Sequence, residues 1–312
     1  MHAADNLRDS RPTRQIMLSV RRPPNRETGQ ALAQIARGEM GYPSRLLALS
    51  DAPAVLWVRG CVPAEHARAV AVVGARAASG AGCARARVLA RELASKGIVI
   101  ISGGAFGIDA ASHEGALAAA AAPTFAVFGC GVDVTYPDRH GPLFARIAAT
   151  GGLLSEYALG TPPRAGQFPA RNRIIAALGD AVIVVEAAHR SGALITASLA
   201  RSLGRPVLAV PGSSGTDRLL QRGQAWPVNS AADVEETLAG RRPAPSVEAV
   251  PPAGAVGLLL AALREGASTP AVLSRKIGLP LPEVMAALVE AELDGWLCRI
   301  PGNQYEVIRR GC

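Results

Sequence analysis

Residues 70–76 read VAVVGAR and residues 98–109 read IVIISGGAFGID. Each is a short apolar run rich in Val or Ile that ends in Gly. Each is followed by a helical pattern, over 79–96 and 109–121. A strand buried on both faces needs such an unbroken apolar run, so the two segments read as strands of a parallel sheet. The pattern repeats along the chain, with further strands expected at 124–128, 152–155, 181–186 and 206–210, and helices at 172–178 and 194–203. Strand–helix alternation of this kind predicts an α/β fold, a Rossmann-like, doubly wound, mostly parallel sheet. Ligands of such sheets bind beyond the carboxyl ends of the strands. The turns at those ends therefore carry the functional information.

Five turns stand out: VVGAR (72–76), SGGAFGID (102–109), FGCGVDVTYP (128–137), EAAHRSGALITA (186–197) and VPGSSG (210–215). Gly allows positive φ and a close backbone approach. A helix N-terminus presents unpaired N–H groups and the positive end of the helix dipole. Five Gly- or Ser-bearing turns on one sheet edge predict a phosphate-binding groove.

Several chemistries lack their motifs. GxxxxGK[ST] is absent, which excludes a P-loop. GARAASGAG (74–82) is not GxGxxG, and Ser102-Gly103-Gly104 stands where a ribose-binding acid would end the second strand, so no dinucleotide cofactor is expected. No HExxH and no GxSxG is present, and no catalytic triad can be assigned. His113 is expected to be solvated or to cap a helix. Five scattered Cys without CxxC spacing predict neither a zinc site nor a disulfide framework. No cofactor and no metal is therefore expected.

The segment GTPPRAGQFPARNRII (160–175) places Arg164, Arg171 and Arg173 around Phe168, with Asn172 between two of the arginines. Aromatic residues make up only 4% of the chain, so one inside a basic, Pro-rich loop calls for a reason. Arg pairs with phosphate oxygens through a planar fork, and Phe offers a face on which an unpaired base can stack. The competing reading is that Phe168 anchors the loop into the core and that Arg171 or Arg173 caps a helix.

The 312 residues are 49% apolar and 19% charged, enough for a sizeable core and unlike a disordered chain. The net charge is +8, which invites a polyanionic partner, although 31 of the 33 basic residues are Arg in an Ala-, Gly- and Pro-rich chain. Residues 1–44 read as a polar, Arg-rich tail with a short helix around 31–37. Residues 45–240 form the α/β domain, 241–254 a Pro-rich linker, and 255–312 a second compact unit. No secretory signal or membrane span is evident, which predicts a soluble cytoplasmic protein without membrane contact. The C-terminal unit reads as helices over 256–264, 269–277 and 282–294, then two strands around Pro-Gly-Asn, the order of a winged helix-turn-helix. Its net charge is zero, and its third helix carries Glu283, Glu290, Glu292 and Asp294 without an Arg. That composition favours a protein contact over duplex binding.

These motifs, in this order and spacing, resemble the DprA (DNA-processing protein A) family over about residues 42–230. The segments that carry the resemblance include SGGAFGIDAASHEGAL (102–117), LLSEYALGTPPRAGQFPARNRIIAAL (153–178) and VVEAAHRSGALITASLA (184–200). The C-terminal unit resembles the winged-helix module of that family. The resemblance implies a non-enzymatic, usually homodimeric protein that binds single-stranded DNA during natural transformation (competence), protects it and helps load the RecA recombinase in DNA recombination. It implies DNA contacts at Arg76, Gly103, Gly104, Arg164, Phe168, Arg171, Asn172 and Arg173, with Ser191, Gly192 and Thr196 in a further turn. Two departures stand out. The family's helical domain before the sheet is not evident, and Phe106, counted among the DNA-binding residues, occupies a position where the family frequently has a basic residue, so that it either adds a second stacking surface or weakens phosphate contact.

Two other functions compete with that reading. A LOG-like nucleoside monophosphate hydrolase shares this topology, and Glu156 and Glu186 are its available acids, but the PGGxGTxxE motif is absent. A winged-helix transcription regulator would need a basic recognition helix, which the acidic third helix contradicts.

Overall fold

The computed structural model describes residues 32–241, 254–264, 266–293 and 296–307. The expected Arg-rich segment before residue 32 and the Pro-rich stretch over 242–253 lie outside the described residues.

A nine-stranded sheet forms the larger part. Its strands are β1 (Leu32–Ala36), β2 (Val55–Gly60), β3 (Ala69–Val73), β4 (Val99–Ser102), β5 (Thr124–Val127), β6 (Gly152–Ser155), β7 (Ala181–Val184), β8 (Val207–Ala209) and β9 (Trp226–Pro227). They lie in the order β1-β2-β6-β5-β4-β3-β7-β8-β9. All pairings from β6 to β9 are parallel, and β1–β2 and β2–β6 are antiparallel. Every residue of β3, β4, β5, β6, β7 and β8 is buried, as their unbroken apolar sequences require.

Helices cover both faces. These are α1 (Gly80–Ser95), α2 (Ile108–Ala119), α3 (Gly141–Thr150), α4 (Gln167–Leu178), α5 (Gly192–Ser202), α6 (Ser214–Gln221) and α7 (Ala231–Leu238). One core layer joins Val73, Ile101 and Val127 to Ile174, Ile175 and Leu194 of α4 and α5. The other joins Val70, Val72 and Ile100 to Leu89 and Leu93 of α1 and Ile108 of α2. Chain order reverses at β3, with β4 on one side and β7 on the other, which creates the crevice where such sheets bind ligands.

The structure corrects three expectations. The segment expected as a short helix at 31–37 forms β1, paired antiparallel with β2, so the sheet domain extends into the segment read as a tail. The helix expected at 172–178 starts earlier, at Gln167, so Phe168 sits in the first turn of α4 rather than in a loop. His113 is fully buried rather than solvated or capping, because α2 packs it against β5, where its Nδ1 meets Thr124 Oγ1 at 2.8 Å.

The C-terminal unit contains α8 (Gly254–Leu263), α9 (Pro270–Ile277) and α10 (Leu281–Leu293), then β10 (Leu297–Ile300) and β11 (Gln304–Val307). Pro270 opens α9 and Gly278, at φ +71°, closes it. Gly302 and Asn303 both take positive φ between β10 and β11, as a tight hairpin turn demands. This is a winged helix. Its α10 turns its last residues onto the sheet domain: Ser198 Oγ of α5 donates to Glu292 O at 2.7 Å, and Arg218 of α6 pairs with Glu290 at 3.4 Å. No helix among the described residues is long and apolar enough to cross a membrane.

Candidate nucleic-acid interface

A cavity of about 310 Å³ opens at the β3–β7 crevice. Its walls come from four segments. The turn after β3 supplies Gly74 and Arg76, the turn after β4 supplies Ala105 and Asp109, α4 supplies Phe168, Pro169, Arg171 and Asn172, and α5 supplies Ser191, Gly192, Ala193 and Thr196. The structure thus gathers Arg76, Phe168, Arg171, Asn172, Ser191, Gly192 and Thr196 into one site. Arg76 is exposed and its guanidinium carbon lies 5.1 Å from the centre of the Phe168 ring. That distance is within cation–π range. Tyr136 also meets Phe168, ring centres 5.4 Å apart. Arg164 is exposed in the loop before α4, where its backbone N–H donates to Gln167 Oε1. Asn172 Nδ2 donates to Gly192 O at 3.4 Å and links α4 to the start of α5.

Two of the expected phosphate ligands are engaged elsewhere. Arg171 is only 3% exposed, and its Nη1 donates to Gly103 O at 2.8 Å and also to Val127 O. Burial pulls its pKa down to about 10, partly opposed by Asp109. Arg171 therefore holds the SGG turn from beneath. Arg173 faces away from the cavity. Its Nη1 and Nη2 each donate at 2.7 Å to one oxygen of Glu156, and its Nε donates to Asp51 at 2.8 Å. Nη1 also donates to Ala170 O at 3.2 Å and Nη2 to Asp51 O at 3.1 Å, so all five N–H donors are engaged and none is left for a phosphate.

Gly103 and Gly104 shape the turn above Arg171. A Cβ on Gly103 would lie 2.5 Å from Asp109 Oδ2 and 2.6 Å from Arg171 Nη2. Gly104 takes φ +72°, and a Cβ there would lie 2.9 Å from Phe144. Neither position accommodates a side chain. Asp109 is buried beneath the same turn and accepts from Ala105 N. Burial pushes its carboxyl pKa upward, with Arg171 opposing.

Several of the five turns hold one of the chain's own carboxylates against a backbone N–H, which narrows the broad groove expected there. Glu186 accepts from Ser79 N and Ser79 Oγ at the start of α1. Asp109 of α2 accepts from Ala105 N and Asp217 of α6 from Gly212 N, both in the turns that precede those helices. The first of these is where a dinucleotide pyrophosphate would sit in a Rossmann fold. At α5 the Ser191 side chain caps Ala193 N, and this end lines the cavity. The two acids open to a hydrolase reading are both committed, Glu186 to the start of α1 and Glu156 to Arg173. No group of three or more His, Cys, Asp or Glu among the described residues could hold a metal ion.

Sequence reasoning did not single out Asp109 or Tyr136. Asp109 is the one acid within SGGAFGID, and Tyr136 is the aromatic of VTYP, so both lie inside the quoted turns.

Residues 33–239 match the family model of DNA recombination-mediator protein A, and residues 242–303 match the DprA winged helix domain. Protein Smf of Escherichia coli is 38% identical over 286 residues, covering 87% of this chain and 76% of the relative. A putative DNA processing protein DprA of Mycobacterium tuberculosis is 38% identical over 293 residues, covering 87% and 73%. Among solved structures, DprA from Streptococcus pneumoniae superposes with a TM-score of 0.61 at 40% identity, covering 65% of this chain and 73% of that one. DNA processing protein A from Helicobacter pylori, studied for its single-stranded DNA binding mode, superposes with a TM-score of 0.60 at 32% identity, covering 68% and 97%.

Proposed function

The chain belongs to the DNA recombination-mediator protein A (DprA) family, and from that premise we propose that it binds single-stranded DNA in the cavity at the β3–β7 crevice. The observation that carries this reading is the pairing of Arg76 with the partly exposed ring of Phe168 at the cavity rim. A cation over an aromatic ring brings a phosphate ligand and a base-stacking surface to one place. Arg76 and Arg164 supply the charge, Phe168 supplies the stacking face, and Ser191 and Gly192 supply the polar start of α5. Gly103 and Gly104 form the turn that lets the backbone of a strand approach, with Arg171 and Asp109 as its support. A base can enter only when unpaired, which excludes a duplex.

Family membership supports a wider role. The protein works in the cytoplasm, protects incoming single strands during natural transformation and assists loading of the RecA recombinase. It acts as a homodimer and carries out no chemical step on the DNA. The winged helix contributes a protein contact rather than groove binding: α10 carries no basic residue, and its last turn is already docked on α5.

A paired titration tests this. A labelled single-stranded oligonucleotide and the matching duplex are titrated with the protein at two salt concentrations. Tight, salt-sensitive binding to the single strand with much weaker duplex binding is the expected result. Equal or stronger duplex binding would move the function to the winged helix, and no binding to either would end the DNA reading.

A further inference from the structure

We propose that Phe106 and His140 form a second nucleobase platform, so that the site seats two adjacent unpaired bases on either side of a phosphate held by Arg76. This rests on the single-stranded DNA reading above and adds a subsite to it.

Phe106 stands apart from the other phenylalanines. Phe125, Phe128 and Phe144 are almost fully buried, whereas Phe106 is 44% exposed. Its exposure is built into the backbone. Gly104 at φ +72° and Gly107 at φ +75° bracket Ala105 and Phe106 and make a sharp tip. A Cβ on Gly107 would lie 2.6 Å from the Arg76 carbonyl oxygen, so the tip is pressed against the backbone of Arg76. The ring is then braced from one side. His140 meets it in an edge-on contact with centres 4.6 Å apart. His140 is itself fixed, with Nδ1 3.0 Å from Gly104 O and its ring edge-on to Phe144. An aromatic held rigid and half exposed costs little further entropy when a base stacks on it.

The other aromatic pair, Tyr136 with Phe168, meets the guanidinium of Arg76. Tyr136 and His140 belong to one segment that follows β5, so a single loop braces both pairs. Arg76 therefore touches the Phe106 tip through its backbone and the Phe168 ring through its guanidinium. Base, phosphate, base is the chemistry that matches aromatic, cation, aromatic. The ligand is a dinucleotide step of a single strand, and stacking makes it tolerant of base identity.

The test uses the full chain and oligothymidylate. Phe106→Ala is expected to weaken binding about 5- to 150-fold, the effect of losing one stacked base, with an unchanged salt slope. Phe106→Leu keeps the apolar volume without the π face and should lose as much, whereas Phe106→Trp should bind like the parent. An oligonucleotide whose second base is replaced by an abasic residue should erase the difference between the parent and Phe106→Ala. Thermal unfolding of each variant confirms the fold. Parent-like affinity in both Phe106→Ala and Phe106→Leu, together with a loss in Phe168→Ala, would overturn the second platform and leave the first intact. Parent-like affinity in Phe168→Ala as well would overturn both.

Discussion

Arg171 donates from Nη1 to the carbonyl oxygen of Gly103 at 2.8 Å from a position only 3% exposed. A buried guanidinium beneath a glycine turn is a different device from an exposed one above it. It donates to the carbonyls of Gly103 and Val127, and it offsets the buried carboxyl of Asp109. The turn that approaches the ligand is thus held from inside the protein, and the charge that meets the ligand comes from Arg76.

Arg171→Ala should therefore act on stability. It leaves the Gly103 and Val127 carbonyls and Asp109 without their buried partner, a loss on the order of 3–5 kcal/mol. Urea unfolding would show a lower midpoint. An unchanged midpoint with a shallower salt dependence of DNA binding would instead make Arg171 a phosphate ligand.

Arg76→Ala and Phe168→Ala should separate charge from stacking. Removing Arg76 should reduce the slope of log K against log salt by about 0.7, the single-strand value for one phosphate. Phe168→Ala should cost roughly 1–3 kcal/mol of affinity at any salt concentration. Because the guanidinium lies 5.1 Å from the ring centre, the two effects should couple, and a double-mutant cycle should read on the order of 0.5–1 kcal/mol. Strict additivity would mean that the Arg76–Phe168 contact contributes nothing.

Arg173 and Glu156 are expected to behave as a strut. Their side chains are 14% and 18% exposed and meet through two 2.7 Å contacts. Glu156→Gln breaks one charged pair and should cost roughly 1–3 kcal/mol of stability. DNA affinity and its salt slope should stay at parent values. A weakened salt slope in Glu156→Gln would count against the strut.

The contrast among these arginines marks what the sequence could and could not reveal. The parallel strands were legible because burial on both faces forces unbroken apolar runs such as VAVV and IVII. β1 was not, because this five-residue edge strand buries only Leu32 and Ile35, three apart, a spacing that suits a helix as well. The site was legible as a set of turns and one basic-aromatic segment, and Arg76, Phe168, Asn172 and Ser191 do converge. Which arginine faces the ligand was not legible. Arg171 and Arg173 sit two residues apart on α4, and helix geometry sends one beneath the SGG turn and the other toward Asp51 and Glu156. Direction depends on where α4 begins, and the Pro-rich lead-in obscured its first turn.

His113 gives the last prediction, a pH dependence of stability. Thr124 Oγ1 donates its hydrogen to Ile100 O at 2.9 Å, so toward His113 it acts as acceptor, and Nδ1 carries the imidazole proton. The ring is fully buried and neutral, and burial, reinforced by His140 and Arg171, drives its pKa down to about 3. In the unfolded chain the same group titrates near 6.5. Between those values the unfolded chain binds a proton that the folded protein refuses, so stability is intact above about pH 6.5 and falls as the pH drops. From pH 7 to pH 5 the linkage from this one group amounts to about 2 kcal/mol. Urea unfolding at the two pH values measures it. His113→Gln has no proton to take up, so its stability should change less over that interval than the parent's, by about that amount. The same pH dependence in both proteins would mean that His113 is protonated inside the fold, against the burial seen here.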